Sequence, residues 1–294
     1  MRLNIYSGHD HIMPTEQPPD QAVLAEKRQG TLQLTINAPA NRNSLSSPGV
    51  LEGLLAGLDE LERDAELRCA IITGAGGSFC SGGDLRALSE GSEADTRARM
   101  TANAWLYRRI ALSEKLLIAA VDGPAFGAGL GLAACCDLIV AGESARFCCA
   151  FARVGAMPDA GLFWSLPARV GASKARQLML FADEVGGAQA LAIGLADHFA
   201  SEGSALPAAQ AMGERLGRGP GRAYGRIKAG LRQAPMSLEQ ALAFQLDNAP
   251  GLFASEDFRE GATAFFEKRK PVFRGRCGSS HVTNQPIPQA PPSQ

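Results

Sequence analysis

Two glycine-rich turns carry the residue types best suited to holding a reacting group. The first runs from Phe79 to Leu85 and the second from Asp122 to Gly131, and each follows an apolar run and precedes a helical pattern. The first backbone N–H groups of a helix have no partner within the helix and attract negative charge. Such groups can stabilise an oxygen that becomes negative during a reaction, each donor lowering the barrier by roughly 3 to 4 kcal/mol. The alternative is that these small residues only let a helix pack closely on a sheet.

Asp159 is the candidate for proton transfer. It lies in the segment 154–161, and its aromatic neighbours along the sequence are Phe151, Phe163 and Trp164. Apolar surroundings disfavour a charged carboxylate and raise its pKa toward the range that is useful for moving protons. The alternative is that an aspartate after a proline forms a turn and caps the helix that follows.

Alternating strand and helix patterns would position these residues. Apolar runs at 69–73 and 116–121 lead into the two glycine turns, as strands buried on both faces should. Upstream, the patterns are those of a hairpin over 23–36 and a helix over 51–61 that starts at Ser47-Pro48. The repetition of strand, glycine turn and helix predicts an α/β core of βαβ-type units.

The segment from Ser89 to Thr101 is polar, charged and interrupted by a glycine. It is predicted to form a loop or a frayed helix start above the pocket, with a helix resuming over 105–112.

After Asp183 the strand patterns nearly vanish. Helical spacing recurs over 188–193, 207–216, 223–231, 238–246 and 257–268. The predicted organisation is a flexible tail over 1–21, an α/β core over 22–200, a helical section over 201–274 and a tail over 275–294. The last segment is rich in Pro, Ser and Gln and is predicted to be disordered.

Composition and charge are those of an ordinary globular protein. A net charge of −1 with 46% hydrophobic residues gives no broad positive field for nucleic acid or for an anionic membrane surface. The longest charge-free apolar stretch is shorter than the ~20 residues that a bilayer requires, and the first residues lack a secretory pattern. A cytoplasmic protein without a membrane segment is expected.

The seven cysteines are an odd number without CxxC spacing, and four of them form the adjacent pairs Cys135-Cys136 and Cys148-Cys149. Buried reduced thiols are expected rather than disulfides or metal ligands. His9 and His11 belong to the N-terminal tail and are not interpreted as ligands, so no metal site is predicted.

The two glycine turns together resemble the signatures of the crotonase (enoyl-CoA hydratase/isomerase) superfamily. Those signatures are FxxGxDL, which fits Phe79 to Leu85, and DGxAxGxGLxLAxxCDLxxA, which fits Asp122 to Ala141. The likeness spans about 22–274. It implies an α/β, crotonase-like (ClpP/crotonase) fold of repeated ββα units with a helical C-terminal trimerisation section. It also implies an acyl-CoA thioester substrate, no separate cofactor, and a homotrimer or homohexamer.

The resemblance places two oxyanion-binding donors on the backbone N–H groups of Gly83 and Ala128. These groups would hold the thioester carbonyl of a bound acyl-CoA. Asp84, Asp122 and Asp137 are interpreted as structural, because the first is placed to cap a helix and the other two border buried strands.

Two further groups of residues follow from the resemblance, each with an alternative. Arg86 and Lys268 match positions that meet the nucleotide end of CoA, a solvated surface role being the alternative. The aromatic residues that would form the acyl pocket, or otherwise plain core, are Phe126, Phe151, Phe163 and Trp164.

The sequence departs from the family at the two glutamates with which hydratases usually activate water. Gly131 stands at the first position and Phe151 at the second, and neither side chain can move a proton. Asp159, in a Gly-x-x-Pro-Asp-x-Gly turn, instead resembles the single aspartate of double-bond isomerases and of 4-chlorobenzoyl-CoA dehalogenase. The dehalogenase also needs a histidine on the preceding helix, where Ala104 stands here.

These features favour an enoyl-CoA double-bond isomerase in which Asp159 removes a proton and returns it to another carbon. One alternative is an enoyl-CoA hydratase that draws its second acid from Glu90, Glu93 or Asp95. Another is a non-catalytic acyl-CoA-binding homologue. RNA binding ranks last because the basic patch at 268–270 is short, so no nucleic-acid partner is expected.

Overall fold

The computed structural model describes residues 21–201 and 204–275. The predicted tails lie outside these ranges except at their inner ends, as do His9, His11 and Cys277. The strands of the described chain are β1 (Val23–Arg28), β2 (Thr31–Ile36), β3 (Cys69–Gly74), β4 (Leu116–Val121), β5 (Pro124–Phe126), β6 (Leu138–Ala141), β7 (Arg146–Cys148), β8 (Val185–Gly186) and β9 (His198–Phe199). The helices are α1 (Val50–Arg63), α2 (Leu85–Glu90), α3 (Glu93–Leu112), α4 (Ala128–Cys135), α5 (Leu162–Phe181), α6 (Gly187–Ala192), α7 (Ala205–Gly217), α8 (Gly221–Arg232), α9 (Leu238–Phe253) and α10 (Glu256–Phe266).

Six strands form one sheet in the order β1-β2-β3-β4-β6-β9, and β5, β7 and β8 form a second, smaller sheet. In the large sheet β1 pairs antiparallel with β2, and the later pairings are parallel. Because β3 and β4 are parallel neighbours, both end at the same edge of the sheet. The two glycine turns that follow them are therefore brought to that edge.

Hydrophobic cores cover both faces of the large sheet. Ile72 and Ala119 belong to the larger core, which α1 and α4 complete. Ile71 and Ile118, one position earlier on the same strands, belong to the second core, which α7 covers with Ala205. Successive side chains of a strand point to opposite faces, so the unbroken apolar runs of β3 and β4 reflect burial on both sides.

The predicted hairpin is confirmed by β1 and β2, and the predicted helix over 51–61 by α1. The start of α1 was predicted wrongly. The helix begins at Val50 after Gly49, whose φ is 78°, and no side chain caps it. The left-handed backbone at Gly49 separates Ser47-Pro48 from the helix, so these two residues belong to the preceding turn.

The segment 89–101, predicted as a loop or a frayed helix start, is mostly well-formed helix. Ser92 and Asp95 form a capping box at the start of α3, and Arg97 pairs with Glu93 at 3.1 Å on the exposed surface. The polar composition that suggested a loop is therefore that of a capped helix with a solvated side.

The five predicted C-terminal helices are confirmed as α6 to α10. Lys228 fastens α8 to the core, because its ammonium group donates to the Asp137 carboxylate at 2.8 Å and to the Ile110 carbonyl at 2.9 Å. The outer helices α9 and α10 expose large apolar side chains, including Leu246 and Phe265, which are 75% and 79% exposed in the single chain.

Among the described residues, no helix is both long enough and apolar enough to cross a membrane. The six described cysteines are buried free thiols. Burial raises the pKa of Cys80 and of Cys135 to about 11, so neither is a reactive thiolate at neutral pH. Within 21–201 and 204–275, no group of three or more His, Cys, Asp or Glu side chains is arranged to hold a metal ion.

Candidate active site

The two glycine turns lie side by side at the edge of the sheet. Cys80 and Ala125 form a parallel bridge, and the Phe126 N–H donates to the Cys80 carbonyl at 3.0 Å. A Cβ atom on Gly82, whose φ is 89°, would lie 3.1 Å from the backbone nitrogen of Ala128. A side chain at Gly82 would therefore push the turns apart, which is the physical reason for glycine at this position.

The backbone N–H groups of Gly83 and Ala128 donate no hydrogen bond to any described residue. Ala128 is the first residue of α4, where N–H groups have no partner within the helix. Gly83 follows Gly82, whose Cβ position lies 3.1 Å from the Ala128 nitrogen, so Gly83 belongs to the turn that contacts the start of α4. Two adjoining unsatisfied donors at a helix N-terminus can bind a carbonyl oxygen that gains negative charge.

The three aspartates predicted to be structural are held by hydrogen bonds, which confirms that interpretation. Asp84 caps α2 by accepting from the backbone N–H of Arg86 at 2.9 Å. Asp122 accepts from a serine hydroxyl just before α7 at 2.7 Å. Asp137 accepts from the backbone N–H of Leu117 on β4 at 2.8 Å.

A cavity of about 290 Å³ lies between α3, the start of α4 and the loop that precedes α5. Three predicted site residues line it, namely Ala128, Asp159 and Trp164. Its other lining residues are Met100, Asn103, Ala104, Tyr107, Arg108, Ala111, Cys135, Ala160 and Gly161. This volume is at the lower end of the range for ligand pockets and suits a short organic group.

Asp159 supplies the one carboxylate among the described residues that line the cavity. Its Oδ1 atom is buried and has no hydrogen-bond partner in the described chain. Burial raises the pKa of this carboxyl group above its ordinary value, and the residue's own backbone N–H offsets part of the rise. Helix α5 is preceded by Gly161 and has no side-chain cap. The predicted turn is present, because the Leu162 N–H donates to the Asp159 carbonyl at 2.9 Å, but the predicted capping of the helix by the Asp159 side chain is wrong.

The loop that carries Asp159 packs directly on Gly131. Ala160 and Gly161 have φ values of 53° and 73°, and this pair of left-handed residues turns the chain at α4. A Cβ atom on Gly131 would lie 2.6 Å from the carbonyl oxygen of Ala160 and closer still to its Cβ. The loop thus fills the space that a side chain at Gly131 would need. In this arrangement a glutamate at position 131 and the Asp159 loop would compete for the same space.

Trp164 is the one predicted aromatic pocket residue that lines this cavity in the described chain. Phe163 is 59% exposed on α5. Phe126 is half-buried in β5, and the half-buried ring of Phe151 lies 3.8 Å from the position of a Cβ on Gly127. The structure therefore does not bring these three phenylalanines to the cavity wall beside Asp159.

Arg86 and Lys268 are both exposed and do not line the cavity. Arg86 belongs to the first turn of α2, directly after the first glycine turn, whereas Lys268 follows α10 with a φ of 54°. Exposed cations can meet the phosphates of a ligand outside the cavity, and their role toward CoA stays a prediction.

Two cavity residues on α3, Tyr107 and Arg108, were missed by the sequence patterns. The Tyr107 hydroxyl lies 3.5 Å from the Ala128 carbonyl. Burial, with the nearby Cys80 and Asp159 adding to it, raises the Tyr107 pKa well above its ordinary value, so the group stays a neutral phenol. The signal was present at positions 100, 103, 104, 107, 108 and 111, which recur at helical spacing. The predicted helix over 105–112 already held Tyr107 and Arg108, but the loop prediction for 89–101 separated Met100 from this face.

Known proteins are similar to this chain in both sequence and fold. A family model described as Enoyl-CoA hydratase/isomerase matches residues 26–276. A probable enoyl-CoA hydratase of Rhodobacter capsulatus is 36% identical over 256 residues, which cover 85% of this chain and 97% of that protein. The 1,2-epoxyphenylacetyl-CoA isomerase of Escherichia coli is 33% identical over 259 residues, which cover 86% and 98% of the two chains. The crystal structure of an enoyl-CoA hydratase from Polaromonas sp. JS666 has a TM-score of 0.81 at 31% identity, covering 86% of this chain and 99% of that one.

The match confirms the predicted crotonase-like α/β fold, and the structure shows that this fold contains two sheets, followed by C-terminal helices. Both glycine turns and Asp159 fall within the residues that the family model covers. The chain therefore belongs to the enoyl-CoA hydratase/isomerase (crotonase) family, and it is a crotonase-type enzyme, a hydratase or an isomerase of acyl-CoA thioesters.

Proposed function

We propose that this enzyme moves the double bond of an enoyl-CoA, with Asp159 as its single acid and base. The observation that supports this most directly is the lone carboxylate of Asp159 among the described cavity-lining residues. The positions of the two usual hydratase glutamates hold Gly131 and Phe151. One carboxylate suffices for isomerisation, because the proton removed from one carbon is returned to another.

In the proposed cycle, the N–H groups of Gly83 and Ala128 bind the oxygen of the thioester carbonyl. Ionised Asp159 takes a proton from the acyl chain, and the electron pair left behind forms a dienolate whose oxygen carries the negative charge. The two donors stabilise that charge. Protonated Asp159 then gives its proton to the carbon at the far end of the dienolate, so the double bond moves and no atom of water enters the product. A raised pKa makes Asp159 a stronger base than an exposed aspartate.

Hydration is the second candidate, since the Rhodobacter capsulatus relative is named as a probable enoyl-CoA hydratase. It requires a second acid, and none of the three acids suggested by the sequence lines the cavity. Glu93 pairs with Arg97 at 3.1 Å. Hydrogen bonds from Ser92 lower the pKa of Asp95, so this carboxyl group is ionised at neutral pH and holds no proton to donate. Neither acid lines the cavity, nor does Glu90.

The test is to incubate the protein with 3-enoyl-CoA and 2-enoyl-CoA in D₂O and in H₂¹⁸O and to follow the product masses. We expect bond migration with deuterium exchange and no incorporation of ¹⁸O. Addition of one water mass to 2-enoyl-CoA would show that the enzyme is a hydratase and would contradict the proposed isomerisation. Binding of both thioesters without either change would contradict both reactions.

The acid limb of the pH profile provides a second test. Asp159 must be ionised to remove the first proton, and burial raises its pKa. We therefore expect kcat/KM to fall on acidification with a midpoint above the ~3.9 of an unperturbed aspartate. A profile that stays flat down to that value would remove Asp159 from the role of base.

We also propose that the enzyme self-associates as a homotrimer or as a dimer of trimers. The supporting observation is the exposed apolar surface of α9 and α10, where Leu246, Phe265 and Phe266 are at least three-quarters exposed in the single chain. Contiguous apolar surface of this kind normally marks an interface. Sedimentation equilibrium should give three or six times the chain mass of 30.8 kDa, and a monomer at micromolar concentration would contradict the proposal.

A further inference from the structure

We propose that Arg108 selects acyl groups whose far end carries a carboxylate. The inference rests on the proposed function, because it assumes that the cavity beside Asp159 holds the acyl group. It goes beyond that function by naming the class of acyl group and the residue that recognises it.

Arg108 is a cation in the cavity wall without a partner of its own. It lines the cavity from α3, and no described carboxylate lies within 4.0 Å of it. Its Nε atom is buried and makes no hydrogen bond within the described chain. A buried donor that lacks an acceptor destabilises the protein, so the position is costly unless a ligand supplies the acceptor.

The next residue on the same helix shows the ordinary arrangement. Arg109 pairs with Asp59 at 2.8 Å, and its guanidinium carbon lies 5.9 Å from the ring centre of Trp105. Arg109, whose side chain is only 12% exposed, is therefore paired within the chain. Arg99 of the same helix also has an unpaired Nε, but its guanidinium donates to the Thr96 hydroxyl at 3.4 Å. Arg108, which lines the cavity, has no such partner among the described residues.

Asp159 is not the missing partner. The two side chains form no ion pair within 4.0 Å. A guanidinium close to Asp159 would lower its pKa, whereas burial raises it and no arginine contributes. Among the described residues, the cavity wall therefore has one carboxylate and one guanidinium that do not pair with each other.

The other residues that line the cavity indicate which kind of acyl group fits beside Asp159 and Arg108. Met100, Ala104, Ala111 and Trp164 are apolar, and Asn103 adds an amide on the face that also carries Arg108. An acyl chain can lie against the apolar part while a terminal carboxylate accepts hydrogen bonds from the guanidinium, which matches carboxylate geometry with two donors. The volume of about 290 Å³ restricts the chain to a short one. A neutral acyl group would leave the guanidinium unpaired.

The experiment compares two saturated thioesters of equal length, hexanedioyl-CoA and hexanoyl-CoA, by isothermal titration calorimetry. Neither has a double bond to move, so the readout does not depend on turnover. We expect the wild-type enzyme to bind hexanedioyl-CoA about 10- to 100-fold more tightly, the range for a charge-assisted hydrogen bond. In Arg108→Gln that ratio should fall close to one through weaker binding of hexanedioyl-CoA alone, while Arg108→Lys should retain part of it.

Arg109→Gln is the matched control, because it removes the same charge one position away and should leave the ratio unchanged. A wild-type ratio near one, or an unchanged ratio in Arg108→Gln, would overturn the inference. So would equal weakening of both thioesters in Arg108→Gln, which would assign Arg108 to the CoA portion. A retained ratio in an enzyme that moves no double bond would instead contradict the proposed isomerisation and leave this inference standing.

Discussion

Replacing Asp159 with Asn is expected to lower kcat for enoyl-CoA isomerisation by about 10²- to 10⁴-fold. The amide keeps the shape of the carboxylate but cannot accept the proton from the acyl chain. Binding of saturated acyl-CoA should persist, because the donors on Gly83 and Ala128 belong to the backbone. The measurements are kcat by deuterium exchange in the product and Kd for a saturated thioester by calorimetry.

The same change should leave the free energy of unfolding at neutral pH unaltered or raise it by up to about 1 kcal/mol. The pKa of Asp159 is higher in the folded protein than in the unfolded chain. Between those two pKa values the folded state holds more protons, so stability falls as pH rises through this window and stays lower above it. The advantage of Asp159→Asn should therefore be present above the window and vanish below it, as urea titrations at several pH values would show.

Asp183→Asn is the matched control for both readouts. Asp183 is an exposed aspartate two residues after α5, so its replacement should change neither kcat nor the free energy of unfolding at neutral pH. Retention of wild-type kcat by Asp159→Asn would refute its role as the base. A loss of folding in Asp159→Asn would show instead that the side chain is structural.

Adding a single methyl group at Gly131 is expected to impair both turnover and stability. In Gly131→Ala the new Cβ would meet the Ala160 carbonyl at 2.6 Å, so the loop that carries Asp159 must move. Overpacking of this kind costs about 1 to 3 kcal/mol, which exceeds the gain of about 1 kcal/mol in helix propensity. A shift of ~1 Å in a catalytic group lowers the rate by about 100-fold. Urea unfolding and kcat measure the two effects.

Gly251→Ala tests the same substitution where the structure has room. Gly251 lies in α9, and no heavy atom lies within 4 Å of its Cβ position. It should gain up to about 1 kcal/mol from helix propensity with kcat unchanged. Wild-type stability and turnover in Gly131→Ala would show that the contact with Ala160 does not position Asp159.

The contact between Gly131 and Ala160 also shows what sequence patterns could not predict. Apolar runs predicted β3 and β4, because a strand that is buried on both faces consists almost entirely of apolar residues. Helical spacing of apolar residues predicted α6 to α10. The letters at 131 and 151 showed that two glutamates were missing. They did not show that the Asp159 loop fills the space beside Gly131, because the contact between Gly131 and Ala160 joins segments that are far apart in sequence. Ala160 makes this contact with a left-handed backbone, and an alanine in a sequence gives no indication of that conformation.

The wall formed by α3 was hidden for a different reason. Polar residues before Met100 suggested a loop, although Ser92 and Asp95 have the spacing of a capping box. Once that helix is accepted, Met100 and Asn103 join Tyr107 and Arg108 on one face by spacing alone. The lack of a partner for the Arg108 Nε atom within the described chain is a three-dimensional property. No local sequence pattern predicts that Arg109 pairs with a carboxylate whereas Arg108 pairs with none among the described residues.

The covering of the large sheet by α7 has a consequence for synthesis on the ribosome. Ile71 and Ile118 are covered only when the helix ending at Gly217 has been made, although β3 and β4 emerge much earlier. Until then a nascent chain carries a parallel sheet with one bare apolar face, the kind of surface that chaperones bind and that aggregates. A chain stalled after residue 200 should be cleaved rapidly by protease, and one that has also exposed α8 should resist. Resistance of the shorter chain would show that one covered face is enough to hold the sheet.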